Sequence, residues 1–314
     1  MEKNLALDFV RVTEAAAIEA SKMIGCGDGK KADLLAVEAM RQRFKNIEFS
    51  GVIVIGEGKK DESPELYVGE KLGTGKGIEL DIAVDPLECT DSVAYGRYNA
   101  LTVIATGPKG SLMSAPDTYM EKIAVPPQAK GKVSLDFTVA ENIEIVAKSL
   151  NKNVSDVTVS LLDRERNQNI INQIRKIGAR VRLVSDGDLG IAIATCLEDN
   201  PIDMLLGSGG SAEAVLAACA LKTLGGEMQA RFLPRNKEDE HEIKKMGLDK
   251  NKIYTLEDLA KGDNITFTAT GVIDGPILKG VVWGSNSIKT HSIIMRSQSK
   301  TVRFLETHHH LKKE

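Results

Sequence analysis

The sequence predicts an α/β protein that folds as two lobes sharing a cleft. The first part of the chain combines helical patterns with short apolar runs that are typical of strands. From about Glu141 onward, helical and strand-like segments alternate regularly, which is typical of parallel βαβ units. Its 314 residues are enough to bury a large core. We predict one lobe over residues 1–140 and a second over residues 141–314, with no repeat or low-complexity linker between them.

Hydrophobic periodicity predicts the elements of the first lobe in chain order. Amphipathic patterns indicate helices at 5–24 and 32–44, and apolar runs indicate strands at 52–55, 80–84 and 100–105. Pro86 cannot donate a ladder hydrogen bond, so we expect the second strand to stop there. The proline-containing residues 111–133 are predicted to form a loop over the cleft.

The second lobe is predicted from the same patterns. The expected elements are a helix to residue 150, a strand at 157–162, a helix to 177, a strand at 181–184, a further helix, a strand at 203–206 and a helix at 211–224. Later β-rich segments lie near 265–269, 278–282 and 293–296. The chain ends in a charged tail that contains His308 to His310, and we expect a solvated end there and not a metal site.

Composition excludes several classes of protein. The net charge of −3 argues against a broad nucleic-acid surface. The most apolar stretch, 204–224, is interrupted by two glycines and Glu213, so we predict a buried strand and helix and no membrane span. The first residues do not form a signal peptide, and the four cysteines form no Cys-x-x-Cys pair. We expect a cytoplasmic protein.

One short turn gathers oxygen ligands. Residues 79–90 read Glu-Leu-Asp-Ile-Ala-Val-Asp-Pro-Leu-Glu-Cys-Thr, which places Asp85, Glu88, the Leu87 carbonyl and the Thr90 hydroxyl close together. Hard cations such as Mg²⁺ or Mn²⁺ prefer such ligands. An ordinary acidic turn after a buried strand is the alternative at this point.

Two further acids support the cation hypothesis. Asp33 lies ahead of a helical run, and Glu57 follows the apolar strand at 52–55 within a Gly-Glu-Gly turn. Acids that follow separate strands can converge at one edge of a sheet. The sequence therefore predicts a metal site built from distant parts of the chain.

These motifs resemble those of class II fructose-1,6-bisphosphatases. The resemblance is carried by Val-Ile-Gly-Glu-Gly at 54–58, Asp-Pro-Leu-Glu-x-Thr at 85–90 and Ala-Pro-Asp-x-Tyr-Met-Glu-Lys at 115–122. It includes Ser-Asp-Gly-Asp at 185–188, Gly-Ser-Gly-Gly-Ser-Ala-Glu at 207–213 and Ala-Thr-Gly at 269–271, and it is colinear from about residue 5 to 311. The family belongs to the lithium-sensitive, metal-dependent sugar phosphatases.

The resemblance implies a layered α-β-α-β-α sandwich and specific roles for individual residues. It implies that Mg²⁺ or Mn²⁺ is bound by Asp33, Glu57, Asp85, Leu87, Glu88 and Glu213. The implied catalytic residues are Thr90, Asp33 and Asp61. The implied substrate-binding residues are Glu88, Cys89, Thr90, Tyr119, Arg164, Glu165, Arg166, Asp186, Gly187, Asp188 and Gly210, with Lys30 as an additional candidate.

The implied reaction is hydrolysis of fructose 1,6-bisphosphate to fructose 6-phosphate in gluconeogenesis. The ion would hold the phosphate and acidify the attacking water, which Thr90 would orient with Asp33 as acceptor. The expected partners are the sugar bisphosphate and further copies of the chain in a dimer or tetramer, with neither nucleic acid nor membrane.

The chain departs from the family pattern near the acidic turn. The family has glycine at the position of Cys89, and commonly arginine and lysine at those of Cys26 and Gly29; Asp91 is also unusual. Lys30 lies one residue out of register with the missing lysine. If the turn needs a residue without Cβ, Cys89→Gly should raise catalytic efficiency. The alternative is that Cys89 points away as a small apolar filler.

Other functions stay open. Sedoheptulose 1,7-bisphosphate or an inositol phosphate would suit the same chemistry, and a catalytically weak paralogue would bind sugar phosphate without turnover. Residues 207–212 also satisfy G-x-G-x-x-A, with Glu227 at about the distance of a ribose-binding acid. That acid precedes the apolar part of its strand, so a dinucleotide site is disfavoured. The sequence contains no P-loop motif.

Overall fold

The architecture was obtained from a computed structural model, which describes residues 5–57 and 66–311. Within these residues the α-helices are α1 (Ala6–Ser21), α2 (Gly29–Phe44), α3 (Thr90–Tyr95), α4 (Val139–Leu150), α5 (Gln168–Ile177), α6 (Asp188–Ala194), α7 (Ser211–Leu224), α8 (Lys237–Lys245) and α9 (Leu256–Leu259). The strands are β1 (Ser50–Ile55), β2 (Lys71–Leu72), β3 (Glu79–Glu88), β4 (Ala100–Pro108), β5 (Tyr119–Val125), β6 (Thr158–Leu162), β7 (Arg180–Val184), β8 (Met204–Gly210), β9 (Glu227–Leu233), β10 (Tyr254–Thr255), β11 (Thr266–Ile273), β12 (Val282–Trp283), β13 (Ser287–Arg296) and β14 (Thr301–His310).

The chain forms two compact units, whose bounds differ from those of the predicted lobes. Unit 1 comprises Met1–Leu112 and Asn264–Glu314, and unit 2 comprises Met113–Asp263. The last part of the chain belongs to unit 1 because β11 pairs with β4. Residues 113–140 belong to unit 2, where β5 is a central strand.

Unit 1 is built on a mixed sheet with strand order β12-β13-β11-β4-β3-β1-β2, and β14 pairs with β13. β1 and β3 are parallel, whereas β3, β4, β11 and β13 are antiparallel to their successive neighbours. Helix α1 packs on α2 and on β11. The rings of Phe9, Phe44 and Phe49 meet at centroid distances of 5.5–6.3 Å in the core beneath these helices.

Unit 2 is built on a second mixed sheet with strand order β10-β9-β5-β8-β6-β7. β6 is parallel to both β7 and β8, as the alternation of segments predicts, while β5 is antiparallel to β8 and β9. Helix α4 packs on α5, and α6 packs on α7. The predicted layered α/β class is confirmed.

The prediction that β3 stops at Pro86 is wrong. β3 continues to Glu88, and its pairing with β4 shifts between Asp85 and Glu88. Asp85 lies opposite Val103 and Glu88 opposite Leu101, so β3 contains one extra residue there, as in a β-bulge. A bulge tolerates proline because the ladder is already interrupted.

The prediction that residues 111–133 form a loop is also wrong, because β5 lies in the middle of this segment. A strand was not predicted here because β5 contains the charged residues Glu121 and Lys122, which are not typical of a central strand. Each has a partner that is distant in sequence: Glu121 contacts Arg231 at 3.0 Å, and Lys122 contacts Asp188 at 2.8 Å.

The three-histidine run forms the last part of β14, an edge strand paired with β13 along its whole length, and His308 and His310 are exposed there, as expected of a solvated end. Residues 278–282 form a strand only at Val282, where β12 begins. In the part of the chain that the structure describes, no helix is long and apolar enough to cross a membrane.

Candidate active site

The β-bulge of β3 in unit 1 contains two buried acidic residues, Asp85 and Glu88. Only 8% of Asp85 and 5% of Glu88 is exposed. The backbone N–H of Leu87 donates to the Asp85 carboxylate at 3.0 Å, which fixes the path of the chain through the bulge. Two buried negative charges at one point of a strand are costly without a compensating partner.

The same bulge supplies neutral oxygens. The Thr90 hydroxyl donates to the Leu87 carbonyl oxygen at 3.1 Å, and both residues lie within or directly after the bulge that contains Asp85 and Glu88. Carboxylate, carbonyl and hydroxyl oxygens are the ligands of hard cations, and this donor set fits Mg²⁺ or Mn²⁺. Within residues 5–57 and 66–311, no three His, Cys, Asp or Glu side chains converge closely enough to hold an ion. An ion at the bulge would therefore also need backbone or water oxygens.

Glu57 lies at the same edge of the first sheet. β1 and β3 run parallel, and Ile55 is in register with Ala83. Glu57 and Asp85 each lie two residues beyond this pair, on neighbouring strands that are about 4.8 Å apart. The backbone of Glu57 therefore lies near that of Asp85, and Glu57 stays a candidate ligand, although no three acidic side chains of the described residues converge to hold an ion.

Asp33 is carried by a helix that packs on the helix of Thr90. Asp33 lies in α2, and α2 contacts α3. A Cβ at Gly29 would lie 2.8 Å from the Thr90 methyl carbon, so a side chain at position 29 would displace Thr90. The glycine at position 29, where the family commonly has lysine, thus allows α2 to pack closely against Thr90. Lys30 is exposed, and Asp61 lies outside the described residues.

Cys89 joins the bulge to α3 in the left-handed backbone region, with φ 70° and ψ 53°. Its side chain is buried in the core of unit 1, and the Asn99 amide nitrogen donates to its sulfur at 3.8 Å. This contact favours the view that Cys89 is a small core filler. The backbone conformation nevertheless explains why glycine suits this position.

We expect Cys89→Gly to be more stable than Cys89→Ala by about 1 kcal/mol, because only glycine avoids the Cβ strain of the left-handed region. Both variants lose the same buried thiol, so the pair isolates the backbone effect. The catalytic efficiency of each should stay within about three-fold of the parent. Urea unfolding and steady-state kinetics measure the two effects. A large rise of efficiency in Cys89→Gly alone would show that the Cβ obstructs the site.

The predicted substrate-binding residues of unit 2 lie along one edge of the second sheet. β6, β7 and β8 are parallel, so their carboxyl ends meet at the same edge. Tyr119, the first residue of β5, pairs with Gly210 at the end of β8. The remaining members follow the ends of β6 and β7; they are Arg164, Glu165, Arg166, Asp186, Gly187 and Asp188.

The Arg166 guanidinium is held by two contacts at this edge. It stacks on the Tyr119 ring at 4.0 Å, and its Nε donates to the Ser208 hydroxyl at 3.1 Å. Arg164 forms an ion pair with Asp186 at 3.6 Å, and both Arg164 and Glu165 are exposed. The Arg166 guanidinium on an aromatic ring and the Arg164 guanidinium at the same sheet edge suit phosphate recognition.

Lys122 and Arg235 are two further charged residues near this edge that the sequence patterns did not single out. The Lys122 ammonium contacts both oxygens of Asp188, at 3.0 and 2.8 Å, and both side chains are buried. Arg235 lies 5.5 Å from the Tyr119 ring centroid, and its hydrogen bonds to Asp239 hold the pKa of that carboxyl well below its ordinary value. Lys122 belongs to the quoted motif at 115–122, which was the available signal.

Glu213 lies in the first turn of α7, directly over the backbone of Gly210. A Cβ at Gly210 would lie 2.0 Å from the Glu213 carboxylate, so glycine is required there. Burial raises the pKa of Glu213; Lys122 opposes this rise and Asp188 reinforces it. A cation bound by Glu213 would favour its charged form. Glu213 stays a predicted metal ligand.

The geometry around residues 207–212 does not support a dinucleotide-binding site. Glu227 is the first residue of β9, and β9 pairs with β5 and β10 but not with β8. In a dinucleotide site the ribose-binding acid follows the end of a strand parallel to the one before the glycine turn.

Comparisons with known proteins agree with this description. The family model described as bacterial fructose-1,6-bisphosphatase, glpX-encoded, matches residues 3–309. The chain is 43% identical to the class 2 fructose-1,6-bisphosphatase of Haemophilus influenzae, over 99% of this chain and 97% of the relative. It is 42% identical to fructose-1,6-bisphosphatase 1 class 2 of Escherichia coli, over 99% and 96%. It is also 42% identical to the D-fructose 1,6-bisphosphatase class 2/sedoheptulose 1,7-bisphosphatase of Synechococcus sp. strain JA-3-3Ab, over 98% and 96%.

Proposed function

The chain belongs to the glpX-encoded bacterial fructose-1,6-bisphosphatase family, and we propose that it hydrolyses fructose 1,6-bisphosphate to fructose 6-phosphate and phosphate. The observation that supports this reaction best is the bulge of β3. It contains the buried acids Asp85 and Glu88, and the Thr90 hydroxyl that follows it donates to the Leu87 carbonyl. Such a donor set suits metal-assisted hydrolysis of a phosphomonoester.

Mg²⁺ or Mn²⁺ would be held by Asp85, Glu88 and the Leu87 carbonyl together with water. Glu57 and Asp33 are proposed as further ligands that would have to move towards the bulge, because no three acidic side chains of the described residues converge in this structure. Bound there, the ion would neutralise phosphoryl oxygens and lower the pKa of a water. Thr90 orients the water that attacks phosphorus. Its hydroxyl is a weak base on its own, so Asp33 is proposed as the proton acceptor and Asp61 as a further acid/base candidate.

The edge of the second sheet is proposed to bind the sugar and its other phosphate. Arg164 and Arg166 supply positive charge for the phosphate, and Tyr119 holds Arg166 in place by stacking. Asp186 and Asp188 accept hydrogen bonds from sugar hydroxyls, and Gly210 contributes backbone groups at the same edge. We propose a cytoplasmic location and a homo-oligomer, either a dimer or a tetramer.

A second candidate substrate is sedoheptulose 1,7-bisphosphate, because the name of the Synechococcus relative includes this activity. The two sugars differ in the part bound by unit 2 residues and share the phosphoryl chemistry. Phosphate release should be measured with both bisphosphates in the presence of Mg²⁺ and of Mn²⁺. We expect hydrolysis of fructose 1,6-bisphosphate with fructose 6-phosphate as product. No phosphate release from either ester with either metal would exclude the proposed function.

A further inference from the structure

The buried ion pair between Lys122 and Asp188 points to a function beyond stability. Lys122 is 1% exposed, and its ammonium lies in the interior of unit 2. An apolar residue in this central strand would avoid the desolvation of a charge. The lysine therefore needs an explanation in terms of its partner.

The partner is held in a single orientation. Both Asp188 oxygens accept from Lys122 Nζ, at 3.0 and 2.8 Å. The backbone of Gly209 flanks this ion pair so closely that an added Cβ would lie 2.0 Å from Asp188 Oδ2 and 3.0 Å from Lys122 Nζ. The carboxylate is thus fixed by an ammonium and flanked by a strand. A carboxylate has about four acceptor positions, so about two stay available for other donors.

The location of Asp188 identifies those donors. Asp188 lies beyond the end of β7, at the same sheet edge as Asp186 and Gly210. Lys122 lies three residues into β5, in register with Gly207, and contacts Asp188 from within the sheet. It also neutralises a carboxylate that would otherwise oppose a bisphosphate anion.

We infer that Lys122 is a positioning residue that fixes and neutralises Asp188, so that this carboxylate accepts hydrogen bonds from the sugar hydroxyls of the substrate. Lys122 itself does not contact the sugar. The inference rests on the proposed substrate site of unit 2. It adds a determinant of affinity for the sugar, distinct from the phosphoryl chemistry of the bulge.

The experiment compares Lys122→Met with the double variant Lys122→Met/Asp188→Asn. Calorimetric titration of the metal-loaded enzyme with the product fructose 6-phosphate measures binding of the sugar and its phosphate without turnover. We expect Kd to rise at least ten-fold in both variants, and KM to rise similarly in the metal-loaded enzyme with kcat within about three-fold. The double variant contains no uncompensated buried charge, so its Tm should return close to that of the parent.

Lys152→Met provides the matched control. Lys152 contacts Asp203 at 2.6 Å, beside the opposite end of β8, about 20 Å from Gly210 by the rise of seven strand residues. Its substrate affinity should equal that of the parent.

If the ion pair only stabilises the fold, the double variant should regain both the Tm and the Kd of the parent. This result would overturn the inference. A parental Kd in Lys122→Met, or a loss confined to kcat or to metal affinity, would overturn it as well. If the variants show the expected differences in Kd but the parent releases no phosphate, only the proposed function is contradicted, because the titration does not depend on hydrolysis.

Discussion

Exhaustive removal of divalent metal ions is expected to abolish phosphate release from fructose 1,6-bisphosphate. Asp85 and Glu88 are buried in one bulge, and their charges oppose the approach of a phosphoryl group when no cation is bound. The described histidines of unit 1 lie on β13 and β14, at least three strand spacings from β3. At about 4.8 Å per spacing they are about 14 Å or more away, too far to act as the base.

Chelation followed by dialysis, with phosphate release as the readout, tests this dependence. Activity should fall below detection and return when Mg²⁺ or Mn²⁺ is added. Circular dichroism and Tm should show that the metal-free protein is still folded, because the core of unit 1 is apolar. Undiminished phosphate release by metal-free protein would contradict the mechanism.

Local sequence patterns predicted the acids of the bulge but not its geometry. Proline and the flanking acids mark the region of Asp85 to Thr90 in the sequence alone. The continuation of β3 through Pro86 depends on β4, which lies opposite and tolerates one extra residue. The residues of β3 alone do not reveal which strand pairs with it or that this strand accommodates a bulge.

The missed strand β5 has the same physical origin. Glu121 and Lys122 are charged, and periodicity assigns charged residues to surfaces or loops. Their partners Arg231 and Asp188 lie 110 and 66 residues further along the chain. Only the fold brings these charges together, so no local window predicts that they are compensated. The division into units likewise depends on the pairing of β11 with β4.

Departures from a family pattern become interpretable once neighbours are known. Gly29 is in place of a commonly basic residue, and the structure shows that a side chain there would clash with Thr90. Cys89 is in place of glycine and still adopts the left-handed conformation that favours glycine. Both residues adjoin Thr90, so the surroundings of this hydroxyl differ in this chain from those the family pattern implies.

Thr90→Val is expected to reduce kcat by about 100-fold or more while KM changes little. Valine keeps the shape of threonine and removes only the hydroxyl that is proposed to orient the attacking water. In the structure this hydroxyl donates to the Leu87 carbonyl at 3.1 Å, so its loss should destabilise the fold by only about 1 kcal/mol.

Ser92→Ala is the matched control for Thr90→Val. Ser92 lies in the same helix, and its hydroxyl donates to the Tyr98 carbonyl at 3.2 Å. Both substitutions remove one hydroxyl-to-carbonyl hydrogen bond, so they should have similar effects on stability. Only Thr90→Val should affect turnover, which separates catalysis from folding.

Asp33→Asn should reduce kcat by a similar factor, because the amide can no longer accept the proton that Asp33 is proposed to receive through Thr90. Glu38→Gln, an exposed position on the same helix, controls for the loss of one negative charge from α2. If Thr90 and Asp33 act as a unit, the kcat of the double variant Thr90→Val/Asp33→Asn should lie within about three-fold of the kcat of the slower single variant. Multiplicative losses would show that Asp33 acts through the metal and not through Thr90. Nearly normal turnover in both single variants would exclude the proposed pair, and the attacking water would then have to be activated by groups other than Thr90 and Asp33.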